Sequence, residues 1–356
     1  AAVPPMLRLA TGAAASPHRL LVSTIGDELK IASPHAKGSP DAPRAFGVSL
    51  KDRSAILPPG RSADAAYWWD SKTGRFVTST YYMASAPEWV QTFNDRKPAD
   101  THAGQAWTPL ALPALTLRQF PAEPGAPLYD AVYGSPFGND QVLAFSIALL
   151  QREQLGRRNA TDLLSVSFST HGPDSAQVQD ISVRTDKAIG RLLSEVDRQV
   201  GLSHVLVAFT TDHGVAPVPE MLQERGLPGG RMTTKELFDP LQQALTARFG
   251  EGKWLMATAG SSPYFNYELI DSLRLDPAEV RRVAAAAATK IPRVARVYTR
   301  DQLLRGEVAS DRIGSRVLRG FNAQRSGDPE IILEDMAVDG VDAQVDERDG
   351  QLQAQR

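Results

Sequence analysis

Apolar residues return at helical spacing through residues 175–200, where Val178, Ile181, Thr185, Ala188, Ile189, Leu192, Val196 and Val200 share one face. Gly201 supplies the stop. On either side lie short, mostly apolar runs of strand length, Asp162–Ser169 (DLLSVSFS) and His204–Thr211 (HVLVAFTT). Strand, helix and strand in that order predict a βαβ unit. The fold class that follows is α/β, with a mostly parallel central sheet and helices on both faces. A second helix is predicted from Asn139 or Asp140 to Leu155, with Phe145, Ala148, Leu149 and Leu155 on its buried side and Gly156 at its end.

Upstream, residues 19–32 read as a short helix, and Arg44–Leu50 (RAFGVSL) as a strand running into the polar turn Lys51-Asp52-Arg53. Residues 65–83 predict a hairpin: AAYWWD and RFVTSTYYM are aromatic and β-branched, with a turn at Ser71–Gly74 between them. Trp68 and Trp69 are expected in its core, and Ser79 and Thr80 as structural strand residues. Pro87–Asn94 suggests one or two helical turns, and the Pro-, Ala- and Gly-rich stretch 95–135 a long surface excursion.

Downstream, Thr233 and Glu236 form a capping box for a helix through Phe249, which Gly250 stops. Trp254–Met256, Tyr264–Leu269 and Val294–Tyr298 read as strands, and Asp276-Pro277 opens an Ala-rich helix over 277–290. These elements predict a small α+β cap at 220–310, inserted into a core of 19–219 and 311–334 that carries its hairpin and excursion at 60–135. Glu330–Leu333 (EIIL) is expected to return as a buried strand, and the ends 1–18 and 335–356 to be irregular, the acidic tail disordered.

Composition narrows the chemistry. A length of 356 residues suits two domains, or one with an insertion. A net charge of −2 argues against a general nucleic-acid or membrane-surface binder. Nowhere is there an apolar run of the ~18 residues that a membrane span requires. The absence of cysteine excludes disulfides, thiolate metal sites and cysteine nucleophiles. Any metal must therefore be held by carboxylates and by the six histidines, His18, His35, His102, His171, His204 and His213. The start at Ala1 reads as a processed start or a fragment.

Two short motifs carry chemistry. Thr210-Thr211-Asp212-His213-Gly214 puts a carboxylate and an imidazole at the end of a predicted strand, the edge where open α/β sheets bind ligands. Both groups are zinc ligands, although a bare Asp-His-Gly also suits a capped turn followed by an ordinary loop histidine. Lys51-Asp52-Arg53 also follows a strand. There Arg offers a planar fork and Lys a point charge to one anion, while the alternative is a solvated turn. No nucleophile elbow, P-loop or dinucleotide fingerprint occurs.

Several blocks in fixed order resemble the phosphate-irrepressible branch of the alkaline phosphatase superfamily, within its type I phosphodiesterase/nucleotide pyrophosphatase-like group. They are Phe46–Gly60, Ala65–Asp70, Phe76–Met83, Asp162–Ser169, Gly172–Ser175, Ala208–Pro217 and Val317–Asp328, covering roughly residues 19–334. The resemblance implies an α/β/α core with a cap, two zinc ions, and a threonine nucleophile attacking the phosphorus of a small phosphate ester. By that resemblance Asp212 and His213 bind one zinc, and Lys51 and Arg53 grip the phosphate of a monoester. It further implies a monomer in the periplasm or outside the cell, with no nucleic-acid or membrane partner.

The departures are specific. No segment matches the family's first metal-binding Asp or its nucleophilic Thr. Phe168-Ser-Thr-His-Gly-Pro173 crosses the place of a further Asp–His pair and leaves His171 as the surviving candidate for the other zinc, without its neighbours. After Glu334 the expected metal-binding His does not appear. Three readings stay open: a zinc-dependent phosphomonoesterase with side activity on diesters, a phosphate- or nucleotide-binding remnant that does not turn over, and a fragment with an open sheet edge.

Overall fold

The computed structural model describes residues 15–35, 38–169, 176–215, 217–227, 229–308 and 310–334, and the backbone of 337–339. The chain divides into two compact units, Ala1–His213 and Gly214–Arg356.

The first unit is built on strands β1 (Ala45–Ser49), β2 (Ala65–Asp70) and β3 (Arg75–Val77), a two-residue pair β4 (Ala106–Trp107) and β5 (Arg118–Gln119), and β6 (Leu163–Ser167). The main sheet runs β3-β2-β1-β6, with β1 parallel to both β2 and β6 and only β3 antiparallel. Side chains alternate along these strands and so serve two faces. Phe46, Val48, Tyr67, Trp69 and Phe76 pack with Phe145 and Leu149 of helix Pro136–Arg152. Ala66, Trp68 and Val77 point the other way, against Ala55 and Ile56 of the short helix Asp52–Ile56. A sheet buried on both faces needs apolar residues at both parities, which AAYWWD supplies. Gly47 lies under the short helix, and a Cβ there would fall 1.9 Å from the carbonyl oxygen of Ala55.

The hairpin turn forms as expected: the Asp70 carboxylate accepts from the Thr73 hydroxyl at 2.6 Å, and Gly74 takes a positive φ of 67°. Its second strand stops at Val77, so Ser79 and Thr80 lie beyond the ladder; Ser79 is buried. Helix 136–152 starts three residues before Asn139, because Pro136 fills its first turn and lacks only an N–H that would be unpaired anyway. The helix expected over 19–32 is shorter, Ile25–Ile31, and a 3-10 turn at Pro17–Arg19 precedes it.

Residues 95–135 are not a mere surface excursion. Trp107, Phe120, Leu128 and Val132 are buried in the main core, and helix Ala126–Tyr133 supplies two of them. Scattered apolar residues without a period hid this anchoring from the sequence. The opposite correction applies to 204–211. After a 3-10 turn at Leu202–His204 no strand forms; Leu206 is 95% exposed and Phe209 79%. An apolar run becomes a strand only where another strand pairs its backbone groups, and the main sheet stops at β6.

The second unit contains β7 (Gly230–Met232), β8 (Leu255–Ala259), β9 (Ser262–Phe265), β10 (Val294–Tyr298), β11 (Glu330–Leu333) and β12 (Ala337–Asp339). Leu237, Leu241 and Leu245 of helix Thr234–Phe249 meet Val280, Ala284 and Ala288 of helix Pro277–Ala288, with Trp254 and Ile331 in the same cluster. The Thr233/Glu236 capping box and the Asp276 cap are both present. β8 and β9 form an antiparallel pair; the expected strand at 264–269 ends at Phe265, where Asn266 caps a helix, Tyr267–Ser272. β11 pairs antiparallel with β10, Ile331 opposite Val297. β12 falls in the stretch expected to be irregular, yet pairs parallel with β7. Of the expected irregular ends, 1–14, 335–336 and 340–356 lie outside the described residues.

Candidate functional site

β1 is the central, fully buried strand of the main sheet, and its C-terminal end delivers Lys51 and Arg53. Leu50 is buried and anchors the exit. The Ser49 hydroxyl accepts from the Lys51 amide at 3.2 Å, and the Lys51 carbonyl accepts from the Ala55 amide at 3.1 Å, so Lys51 begins the short helix. Asp52 turns its carboxylate back to its neighbour's amide, accepting from Arg53 N at 2.7 Å. Lys51 and Arg53 are both exposed, and neither forms an ion pair among the described residues. Two cations thus stand at the C-terminal edge of a parallel sheet, the edge where such sheets bind ligands, with Asp52 between them turned to a backbone amide.

One residue near this edge was not legible in the sequence. Tyr133, the last residue of helix 126–133, has a hydroxyl pushed upward by burial; the Arg53 guanidinium draws it down, while Asp52 and Asp130 push it up. It comes from the stretch expected to be a surface excursion, and no motif marks it.

Asp212 and His213 stand next to each other in an extended segment. The His213 amide donates to Asp212 Oδ1 at 3.0 Å, and His213 Nε2 lies 3.4 Å from Asp212 Oδ2. Their side chains are 79% and 73% exposed. A closed tetrahedral zinc site takes four ligands, and a catalytic one three plus water. Among the described residues no group of three His, Asp or Glu is placed to hold a metal. The described residues therefore do not fit a zinc centre. His171 lies outside the described residues. His102, by contrast, is packed: its ring stacks on Phe137 at 4.4 Å, and burial holds its imidazole below the usual range.

A mostly parallel sheet with helices on both faces and a charged pair at the C-terminal end of its central strand defines an alkaline phosphatase-like α/β protein. Comparison with known proteins makes this specific. The family model for type I phosphodiesterase / nucleotide pyrophosphatase matches residues 39–335, and the chain belongs to that family, within the alkaline phosphatase superfamily. Among curated relatives, "Calcium-transporting ATPase" of Myroides odoratus is 31% identical over 90% of this chain and 63% of its own length. Alkaline phosphatase PafA of Elizabethkingia meningoseptica is 29% identical over 90% of this chain and 62% of its own length. A crystal structure of PafA superposes with a TM-score of 0.77 at 27% identity, covering 88% of this chain and 64% of that one. The chain thus spans less than two thirds of these relatives.

Proposed function

We propose that this chain binds the phosphoryl group of small phosphate esters through Lys51 and Arg53, and that it belongs to a phosphomonoester hydrolase. The observation that carries this reading is the pair of exposed cations at the end of β1 that form no ion pair among the described residues. A phosphate monoester presents more charge than a diester, so two adjacent cations, one of them a planar fork, favour the monoester. The same groups oppose the charge on the phosphoryl oxygens as the ester bond breaks, the general way such sites lower a barrier.

Two zinc ions and a threonine nucleophile belong to this proposal only through the resemblance to the superfamily. Asp212 and His213 would be ligands of one ion. The described residues offer that ion no third ligand. A periplasmic or extracellular location rests on the same resemblance.

A second reading has an observation in its favour. The exposure of Asp212 and His213, and the lack of a three-ligand metal group among the described residues, suit a phosphate-binding protein that does not turn over. The deciding experiment measures inorganic phosphate binding, and hydrolysis of an aryl phosphate monoester and diester, on the wild type and Lys51→Ala. The hydrolase reading expects monoester turnover that falls far more than diester turnover in the variant. Equal losses would overturn the monoester assignment, and phosphate binding without turnover would leave the second reading.

A further inference from the structure

The second unit holds a concave site that the phosphate-ester reading does not use. Helices 234–249 and 277–288 pack side by side, and beside them opens a cavity of about 760 Å³. Its wall is apolar and low, formed by Pro240, Ala244, Ala247 and Ile291. Alanines at these positions leave room where larger side chains would have filled the groove. Its rim is basic: Arg231, Lys290 and Arg293 line it, with Glu236 as the one acid.

The acids near this rim are already engaged. Glu236 closes the capping box, its carboxylate accepting from the Thr233 amide at 2.7 Å and hydroxyl at 2.8 Å. Glu220 takes the fork of Arg231 at 2.8 and 3.1 Å. Among the described residues Arg293 donates to a carbonyl, that of Arg231 at 3.2 Å. Neither Lys290 nor Arg293 forms an ion pair among the described residues. Both side chains are exposed, so their charge faces solvent and the cavity mouth. Although Glu236 also feels the charge of Arg293, two exposed cations that form no ion pair among the described residues, set above an apolar wall, match a ligand with an anionic head and an apolar body. The cavity volume falls within the roughly 300–1,000 Å³ usual for small-molecule sites. The exposed guanidinium of Arg293, with donors beyond the one that reaches the Arg231 carbonyl, fits a planar carboxylate best, with Lys290 as a second point charge.

We propose that this cavity binds a small amphiphilic carboxylate, its head on Arg293 and Lys290 and its aliphatic body along Pro240, Ala244, Ala247 and Ile291. The site belongs to the second unit and is independent of the Lys51/Arg53 pair in the first.

Isothermal titration with octanoate, 1-octanol and inorganic phosphate tests it. The proposal expects saturable octanoate binding, with octanol at least tenfold weaker and phosphate not competing. Replacing both rim cations (Lys290→Ala with Arg293→Ala) should weaken octanoate at least tenfold. Ala247→Trp, which fills the groove from an exposed position, should abolish binding while circular dichroism stays unchanged. Equal affinity for octanol, or octanoate binding that survives both sets of substitutions, overturns the proposal. So does binding that is lost in Lys51→Ala/Arg53→Ala and kept in the rim variant, because the anion would then sit at the first unit's pair.

Discussion

The carboxylate of Asp180 accepts the indole N–H of Trp107 at 2.7 Å, in the buried core of the first unit. The same carboxylate accepts from the Leu110 amide and from Arg184 Nε, each at 2.7 Å, and Arg184 donates onward to the Thr108 carbonyl at 3.0 Å. One side chain of helix Ala176–Gln199 therefore ties down residues 107–110, in a stretch with almost no regular structure of its own.

Removing that carboxylate should be costly. Asp180→Ala leaves a buried indole N–H, an amide and a guanidinium without their acceptor. Breaking such a buried, charged network costs about 3–5 kcal/mol. Urea unfolding followed by tryptophan fluorescence measures it, and a loss below about 1 kcal/mol would show that water replaces the carboxylate.

The same residue sets an acid limit. Burial works against the charged form of Asp180, but hydrogen bonds from Leu110, Trp107 and Arg184 outweigh it and hold the carboxyl below its usual value. A lowered folded-state pKa gives stability that is present above the unfolded value, about 3.9, and lost as pH falls through the folded value. The wild type should lose stability below about pH 4, and Asp180→Asn should lose less over that range. Thermal melts from pH 6 to pH 3 compare the two.

Asp328 has the opposite sign. It is buried, Oδ1 lacks a partner, and Tyr267 donates to Oδ2 at 2.5 Å. Burial raises its carboxyl, and Tyr267, Arg300 and Arg281 only partly offset this. A raised folded value gives stability that is full below the unfolded pKa and is lost as pH rises through the folded one. Asp328→Asn should therefore melt higher than the wild type at pH 8, by about 1 kcal/mol of stability, and the gap should close toward pH 4. A constant gap across that range would place the effect in packing instead.

Metal removal should leave the fold alone. Asp212 and His213 are exposed, and the described residues offer them no third metal ligand, so a chelator should shift the melting temperature of this chain by less than about 1 °C, the scale of a surface change. A drop of several degrees would mean that a metal bridges these residues to others and stabilises the folded state.

Much of this architecture was legible in the sequence, for identifiable reasons. The Thr233/Glu236 box, the Asp276 cap and the Asp70–Arg75 turn are local chemistry, readable within four or five residues. Helix 176–199 announced itself by period. Two boundary errors were local, the early start at Pro136 and the Asn266 cap, and the larger failures were non-local. His204–Thr211 has a strand's composition but no strand to pair with, and no run of residues reveals its neighbour. Trp107 and Phe120 looked like loop residues because their burial depends on Asp180 and Phe137, far away in sequence. For the candidate site, Lys51 and Arg53 were visible as a motif after a strand, whereas Tyr133 required knowing how the 126–133 helix folds back.

Gly47 gives the site an unusual dependence. With an Ala55 carbonyl oxygen where its methyl would be, the residue sets how closely helix 52–56 settles on the sheet, and hence where the two cations at its start stand. A single added carbon beneath the helix would lift it, moving both charges without altering either. The geometry of the proposed anion clamp is thus inherited from a position that carries no functional group, and on that proposal sequence drift there would be felt in ligand affinity.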